Sequence, residues 1–442
     1  MMYKIILFLI FFCPMPLLGQ NYTSYFTGNA NDTVCSSLGG VCLMGGASED
    51  DNAMIWFLQR ANGGDVLVLR SSGADGYNDY MYASLGVNVN SVETIVFNNA
   101  SASYDTYLHQ KIQKAEAIWF AGGDQWDYVS YWRNTPIDSL INKAIAQRNI
   151  VVGGTSAGMA ILGQYYFSAQ NGTVSSTTAL NNPYNENVSI DSTKFIETPY
   201  LDRVITDTHY DNPDRKGRHT AFLARILTDY SIPAKGIACD EYTAICIDNN
   251  GMARVFGTFP DYDDNAYFIQ TNCELNDIDP EICTSGTALT WNLGGKALKI
   301  YKIKGTPTGE NTFDLNTWQT GVGGDWFTWA INNGIFSEQN ANEINCTPLS
   351  IYPNEAKPSI ALFPNPANDR VEITGMEHLS TKNDLENELW ISDNKGHIVK
   401  KIKNISLNQT IVIEIEDLNK GIYYLQIKKP NGKNYTLELI KK

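Results

Sequence analysis

The stretch VVGGTSAGM, Val151 to Met159, places one serine, Ser156, between glycines directly after an apolar run. Ile150, Val151 and Val152 have the composition of a buried parallel strand, and Ala157 to Leu162 that of a helix start. Ser156 is therefore predicted at a strand-to-helix turn. Gly153, Gly154 and Gly158 carry no Cβ, which permits the tight backbone of such a turn and a close approach of helix to strand. The hydroxyl would then stand at the carboxyl edge of a sheet, where open α/β sheets place their ligands. The first amides of the following helix would face any negative charge developing there. A nucleophilic serine is one reading of this pattern, and a plain glycine-rich connection is the other.

Outward from that turn, apolar runs alternate with helical stretches from Val34 to about Asp248, the rhythm of βαβ units around a parallel sheet. Strands are predicted at Val41–Met44, Asp65–Leu69, Thr94–Phe97, Ala117–Phe120, Ile150–Val152, Val204–Asp207 and Ile237–Cys239. Helices are predicted at Asp50–Ala61 and Pro136–Gln147, each with one apolar face. The fold class is α/β, a doubly wound parallel sheet. Residues 250 to 346 lose the rhythm and read as a β extension of the same domain, with TALTWNLGGKALKIYKI as a hairpin. Pro348, Pro353 and Pro358 mark a linker over 347–358. Beyond it, short alternating strands separated by turns such as Asn394–Gly396 and Asn431–Gly432 predict a small all-β sandwich of about seven strands, 359–442.

The chain has 442 residues and a formal net charge of −15, which argues against a nucleic-acid partner. Residues 1–19 combine Lys4, the apolar run Ile5–Phe12 and small Gly19, the pattern of a secretory signal peptide. This leaves 20–346 as the main domain of an exported protein. Seven cysteines follow the leader, an odd number in a chain where disulfides persist. Cys273 and Cys283, flanking ELNDIDPEI, are the expected bridge; Cys239 and Cys246 are expected as buried small residues. No cysteine spacing resembles a zinc site and only five histidines are present, so neither a metal nor another cofactor is expected.

A serine hydroxyl needs a general base and oxyanion donors. His109 lies in a helical run and His219 at a helix start, whereas His209 follows the strand Val204–Asp207 and is expected at the same sheet edge as Ser156. Arg215 and Arg218 stand in its loop, cations suited to a carboxylate. A further strand ends in FAGGDQ, whose Gly122–Gly123 pair offers amides to an oxyanion together with Ala157. His378 and His397 fall in turns of the terminal sandwich and read as exposed polar residues.

FAGGDQ at Phe120–Gln125, GGTSAGMA at Gly153–Ala160, and DTHY followed by RKGR at Asp207–Arg218 together resemble the cyanophycinase and peptidase E family of serine peptidases. The resemblance covers most of residues 35–250. It implies a class I glutamine amidotransferase-like fold, Ser156 as nucleophile, His209 as base, and oxyanion amides from Gly123 and Ala157. It also implies substrate contacts from Gln125, Asp207, Arg215 and Arg218, and cleavage of peptide or isopeptide bonds next to aspartyl residues. This chain departs from the family pattern at Thr208, Tyr210 and Pro213. It departs again at the strand YYFSAQNGTV, where the family carries an acid and this chain has Gln170 and Asn171. Glu186, Asp191 and Glu197 in the following loop are the remaining candidates for the triad acid, with no acid at all as the fourth option.

LFPNPANDRVEI, DNKGHIV and LNKGIYYLQI resemble a type IX secretion sorting domain. That resemblance implies the secretion machinery as a partner and a cell-surface or secreted location. The expected function is an exported peptidase acting on a peptide with an acidic residue, and the sequence leaves room for a homodimer. Two other readings stand beside it: a catalytically inactive surface binding protein, which lack of a triad acid would favour, and an α/β-hydrolase-type esterase.

Overall fold

The computed structural model describes residues 20–346, 361–374, 387–393, 397–407, 410–428 and 434–442. The signal segment 1–19, the linker 347–358, the turns at Asn394–Gly396 and Asn431–Gly432, and His378 lie outside the described residues. The chain divides into two compact units, Met1–Cys346 and Thr347–Lys442.

In the first unit the strands are β1 (Tyr22–Gly28), β2 (Val41–Met44), β3 (Asp65–Arg70), β4 (Ser91–Phe97), β5 (Ala117–Phe120) and β6 (Val151–Thr155). They alternate with helices α1 (Asp51–Arg60), α2 (Thr106–Lys114), α3 (Gln125–Trp132), α4 (Pro136–Arg148) and α5 (Ala157–Ala160). Next come β7 (Tyr166–Phe167), α6 (Ser176–Asn181), β8 (Ile190–Asp191), β9 (Val204–Asp207), α7 (Lys216–Tyr230), β10 (Lys235–Cys239), β11 (Ala244–Ile247) and β12 (Met252–Phe256). The unit closes with β13 (Asn265–Thr271), β14 (Leu298–Lys304), β15 (Thr312–Asp314), β16 (Gly321–Val322), β17 (Gly324–Asn332) and β18 (Ile335–Asn340).

The larger sheet has the order β1-β4-β3-β5-β6-β2-β11-β12-β15-β16. Its centre, β4-β3-β5-β6-β2, is parallel throughout. Alternation along each strand divides the apolar side chains between two faces. Leu67, Leu69, Ile95, Ile118 and Val152 pack with Leu108, Trp132 and Ile141 of α2–α4, while Val66, Val68, Val92 and Trp119 pack with Met54, Phe57 and Leu58 of α1. Helices thus cover both faces, as a parallel sheet requires. The ends of α1 and α4 follow from local chemistry: Asp50 accepts from the Ala53 amide at 2.8 Å, and Thr135–Pro136 opens a helix that Asn149 closes in the left-handed conformation.

Three expectations fail here. The strands predicted at Val204–Asp207 and Ile237–Cys239 do not join the larger sheet; they form the parallel pair at the edge of a six-stranded sheet, β18-β17-β14-β13-β10-β9. The reason lies in Asp240–Thr243, where the chain leaves β10, already paired with β13, and crosses to β11, which pairs with β2. The run GIACDEYTAICID is consequently two strands of two sheets, broken at an acidic turn. The expected TALTWNLGGKALKIYKI hairpin is also absent: Trp291 bridges to Ile331, and β14 is an interior strand between β13 and β17. The bridge predicted for Cys273–Cys283 is Cys273–Cys346 instead. Cys346 follows β18 and returns beside Cys273, whereas Cys283 is buried near Thr228 and Arg225 of α7. Cys239 and Cys246 are fully buried, as small core residues.

The second unit carries seven strands among the described residues: β19 (Ala361–Phe363), β20 (Arg370–Thr374), β21 (Asn387–Asp393), β22 (Ile398–Ile405), β23 (Ile411–Glu414), β24 (Gly421–Lys428) and β25 (Asn434–Lys441). They form a three-stranded and a four-stranded sheet enclosing Val371, Ile373, Leu389, Ile391, Ile413, Leu425, Ile427 and Leu439.

The contact of β5, β6 and α5 leaves no room at Gly158, where a Cβ would lie 2.0 Å from the Phe120 carbonyl oxygen. Backbone cannot yield as a flexible side chain can, so Gly158→Ala is expected to cost on the order of 3 kcal/mol in chemical denaturation. Gly76→Ala, where a Cβ meets nothing within 4 Å, should leave the midpoint within the error of the same measurement.

Candidate active site

Ser156 follows β6 and caps α5 with φ 51° and ψ −116°, a strained backbone for a residue bearing a Cβ. Its amide donates to Met44 O of β2 at 3.1 Å. At this N-cap position a serine would ordinarily bond its own helix, yet the hydroxyl makes no capping bond. It lies instead 2.7 Å from Nε2 of His209.

His209 also has a positive φ, 47°, and its amide donates to Gly45 O at 2.8 Å. A Cβ at Gly46 would fall 2.4 Å from the imidazole, so glycine is what lets the ring lie against that loop. His209 emerges from β9 of the smaller sheet and Ser156 from β6 of the larger one. The two side chains meet because the last residue of β2, Met44, and the next, Gly45, accept hydrogen bonds from the two backbones.

On the far side of the imidazole, Nδ1 is 2.6 Å from Oε1 of Glu241. The Glu241 amide donates to Asp211 Oδ1 at 2.9 Å, and Asn212 Nδ2 donates to the second carboxylate oxygen at 3.3 Å. The hydrogen bond with His209 holds the Glu241 carboxyl below the usual glutamate range, against partial burial, and the charge of Arg215 adds to this. None of the three acids proposed from the sequence approaches His209. Asp191 pairs with Arg133, Glu197 with Lys194 at 3.1 Å, and Glu186 is exposed. Expecting the acid soon after the nucleophile pointed to the wrong segment. The usable signal was an acid pair, Asp240–Glu241, directly after an apolar strand that runs parallel to the strand before His209.

Ser156 and His209 open onto a cleft of about 440 Å³ that Gly123, Gln125, Ala157, Phe167, Thr173 and Arg215 also line. Ala157 is the first residue of α5, whose opening amides have no carbonyl within the helix. Gln125 begins α3 and reaches the Phe167 carbonyl at 3.4 Å. Arg215 donates through Nη1 to Thr208 O at 2.9 Å, while its Nε is buried without a hydrogen-bond partner among the described residues. Burial and the like charge of Arg218 lower the Arg215 pKa.

Asp207 and Arg218, expected to touch substrate, are committed to each other. Arg218 Nε donates to Asp207 Oδ2 at 2.9 Å and Nη2 to Oδ1, both side chains being 4% exposed. Although burial opposes it, the Arg218 charge keeps Asp207 below the usual range. Arg218 nevertheless lines the cleft beside Arg215, whereas Asp207 is buried and does not. The remaining histidines of this unit are structural: His109 Nε2 lies 2.9 Å from Ser103 O, and His219, within α7 and fully buried, sits between Tyr210 OH and Ile205 O.

Residues 71–255 match peptidase family S51. That region contains every group of the cleft named above. Residues 361–442 match a secretion system C-terminal sorting domain, which covers the described residues of the second unit. The chain is 24% identical over 254 residues to a cyanophycinase of Synechococcus elongatus, spanning 54% of this chain and 72% of that protein. It is 26% identical over 155 residues to a cyanophycinase of Geminocystis herdmanii, 35% of this chain and half of that one. Among solved structures it is similar to a peptidase from an acI-B1 actinobacterium, with 15% identity, 50% of this chain and 89% of that one covered, and a TM-score of 0.37.

Beside Glu241, Asp240 is 3% exposed. One carboxylate oxygen accepts from Asn265 N and Nδ2 at 3.1 and 2.9 Å, and the other has no partner among the described residues. Burial, helped by the charge of Asp211, pushes its pKa up to about 7. Between the unfolded value near 4 and this folded value the native state binds the extra proton, so stability falls as pH rises across that window. Asp240→Asn should reduce the loss of unfolding free energy between pH 5 and pH 8 by at least about 1 kcal/mol, measured by urea denaturation at both pH values.

Proposed function

We propose that this protein is an exported serine peptidase that cleaves a peptide or isopeptide bond next to an acidic residue. The observation that carries the reading is the continuous series Ser156 Oγ to His209 Nε2, 2.7 Å, and His209 Nδ1 to Glu241 Oε1, 2.6 Å, at the floor of a cleft. Ser156 attacks the carbonyl carbon as His209 takes its proton, and the Gly123 and Ala157 amides receive the oxyanion. His209 then returns the proton to the leaving amine, giving an acyl-enzyme, and activates the water that releases it. Glu241 holds the imidazole in the required orientation and stabilises its charged form. The carboxylate on His209 supports this reading over the inactive binding-protein one.

The buried, unpartnered Nε of Arg215 supports recognition of a substrate carboxylate. Gln125 lies on the same cleft and orients the substrate. Arg218 lines the same cleft, and its pairing with the buried Asp207 fixes its position there. The sorting domain supports export through the type IX machinery to the cell surface or beyond, with the signal-like residues 1–19 directing the first crossing.

A fluorophosphonate probe is expected to label the purified protein at Ser156 and to leave Ser156→Ala unlabelled; labelling that ignores this substitution, or none at all, would falsify the serine mechanism. Glu241→Gln keeps the shape but spoils the tautomer of His209, and kcat on an isoaspartyl-arginine dipeptide should drop on the order of 10⁴-fold. Arg215→Ala removes a charged hydrogen bond to the acidic residue. It should raise KM for that dipeptide roughly 10- to 100-fold while the probe still labels Ser156 at close to the parental rate.

A further inference from the structure

Cys42 on β2 and Cys246 on β11 face each other directly in the antiparallel register. Their sulfurs are 3.7 Å apart and both side chains are fully buried. The Gly45 amide donates to Thr243 O, which makes Gly45–Thr243 a hydrogen-bonded pair. Stepping back along the ladder, Met44–Ala244 is non-hydrogen-bonded, Leu43–Ile245 hydrogen-bonded, and Cys42–Cys246 non-hydrogen-bonded again. In that class of pair the side chains stand closest and the Cα atoms are about 4.5 Å apart, inside the range a disulfide spans. The same unit already holds the disulfide Cys273–Cys346, and the sorting domain marks the chain for passage through a compartment where such bonds persist.

We propose that Cys42 and Cys246 are joined by a cross-strand disulfide in the exported protein. The oxidant is the disulfide of a thiol oxidase of the export compartment. One cysteine thiolate attacks that disulfide and forms a mixed disulfide, expelling one oxidase thiolate. The second cysteine, as thiolate, then attacks the first cysteine's sulfur and expels the other. Two protein thiols lose two protons and two electrons, and the oxidase is left as a dithiol. Because both sulfurs are shut from solvent once β2 and β11 are packed, the bond closes as the strands meet and resists later reduction.

The position gives the bond a consequence for the cleft. Three residues beyond Cys42 the chain reaches Gly45, and with Met44 it supplies the carbonyls that hold the backbones of His209 and Ser156. Glu241 lies five residues before Cys246. A covalent tie between these strands fastens the acceptor loop to the strand that follows the acid. It also closes a loop 204 residues long in sequence, which restricts the unfolded chain.

The test is peptide mapping of the full-length protein exported by a host with an oxidising periplasm, denatured in iodoacetamide without reductant. A linked peptide pair containing Cys42 and Cys246, which disappears after treatment with dithiothreitol, is expected. Alkylation of both cysteines in the unreduced sample, to the level of Cys239 and Cys283, overturns the proposal. Thermal unfolding of Cys42→Ala, Cys246→Ala and the double variant gives a second readout. With the bond present, either single substitution should lower Tm as far as the double one; losses that add across the two sites speak for independent thiols and against it. Neither result depends on whether Ser156 is labelled by a fluorophosphonate.

Discussion

Two carbonyls at the end of β2 carry the arrangement of the cleft. Met44 O accepts from the Ser156 amide and Gly45 O from the His209 amide, so one short segment gives both residues their backbone position. Each of them has a positive φ, a conformation that a side-chain-bearing residue keeps only when its surroundings hold it. The hydrogen bonds from β2, the absence of a Cβ at Gly46 and the close approach at Gly158 are those surroundings. Because β2 is also the last parallel strand of the larger sheet and pairs with β11 on its other side, strain at the turn is opposed by the ladder of the whole sheet.

Charge is arranged around this point in two layers. Near the imidazole, Glu241 is an ionised, partly exposed carboxylate with its oxygens shared between His209 and Asn212. Farther along the cleft, Arg218 and the Asp207 it holds neutralise each other in nearly complete burial. A buried ion pair stabilises little by itself, but it leaves Arg215 as a cation whose Nε has no partner among the described residues. The distribution suits an anionic group of a substrate meeting Arg215 while the imidazolium forming on His209 faces Glu241.

Much of this was legible in the residues. The glycine-flanked serine, the histidine after a buried strand, the GGDQ turn and the alternation of short apolar runs with amphipathic helices each have a local cause, and the structure has strands and helices where those causes predict them. Glu241 was not legible in the same way. It sits in a run whose hydrophobicity reads as one strand, and only the crossing from β10 to β11 reveals that the acidic pair is a turn. The Cys273–Cys346 bridge was hidden for a related reason: its partners are 73 residues apart, and loop composition near Cys273 favours a neighbour that in space is buried against α7.

The sequence by itself determined the strand-to-helix turn at Ser156, the parallel core and the β sandwich at the carboxyl end, because periodicity, glycine placement and turn chemistry act over a few residues. Tertiary structure alone decided that β9 and β10 belong to a second sheet, that Asp207 is buried in a pair with Arg218, and that Glu241 stands behind His209. Those outcomes depend on which strands pair across long stretches of chain. Pairing is set by the burial of whole faces, a condition that no local pattern contains.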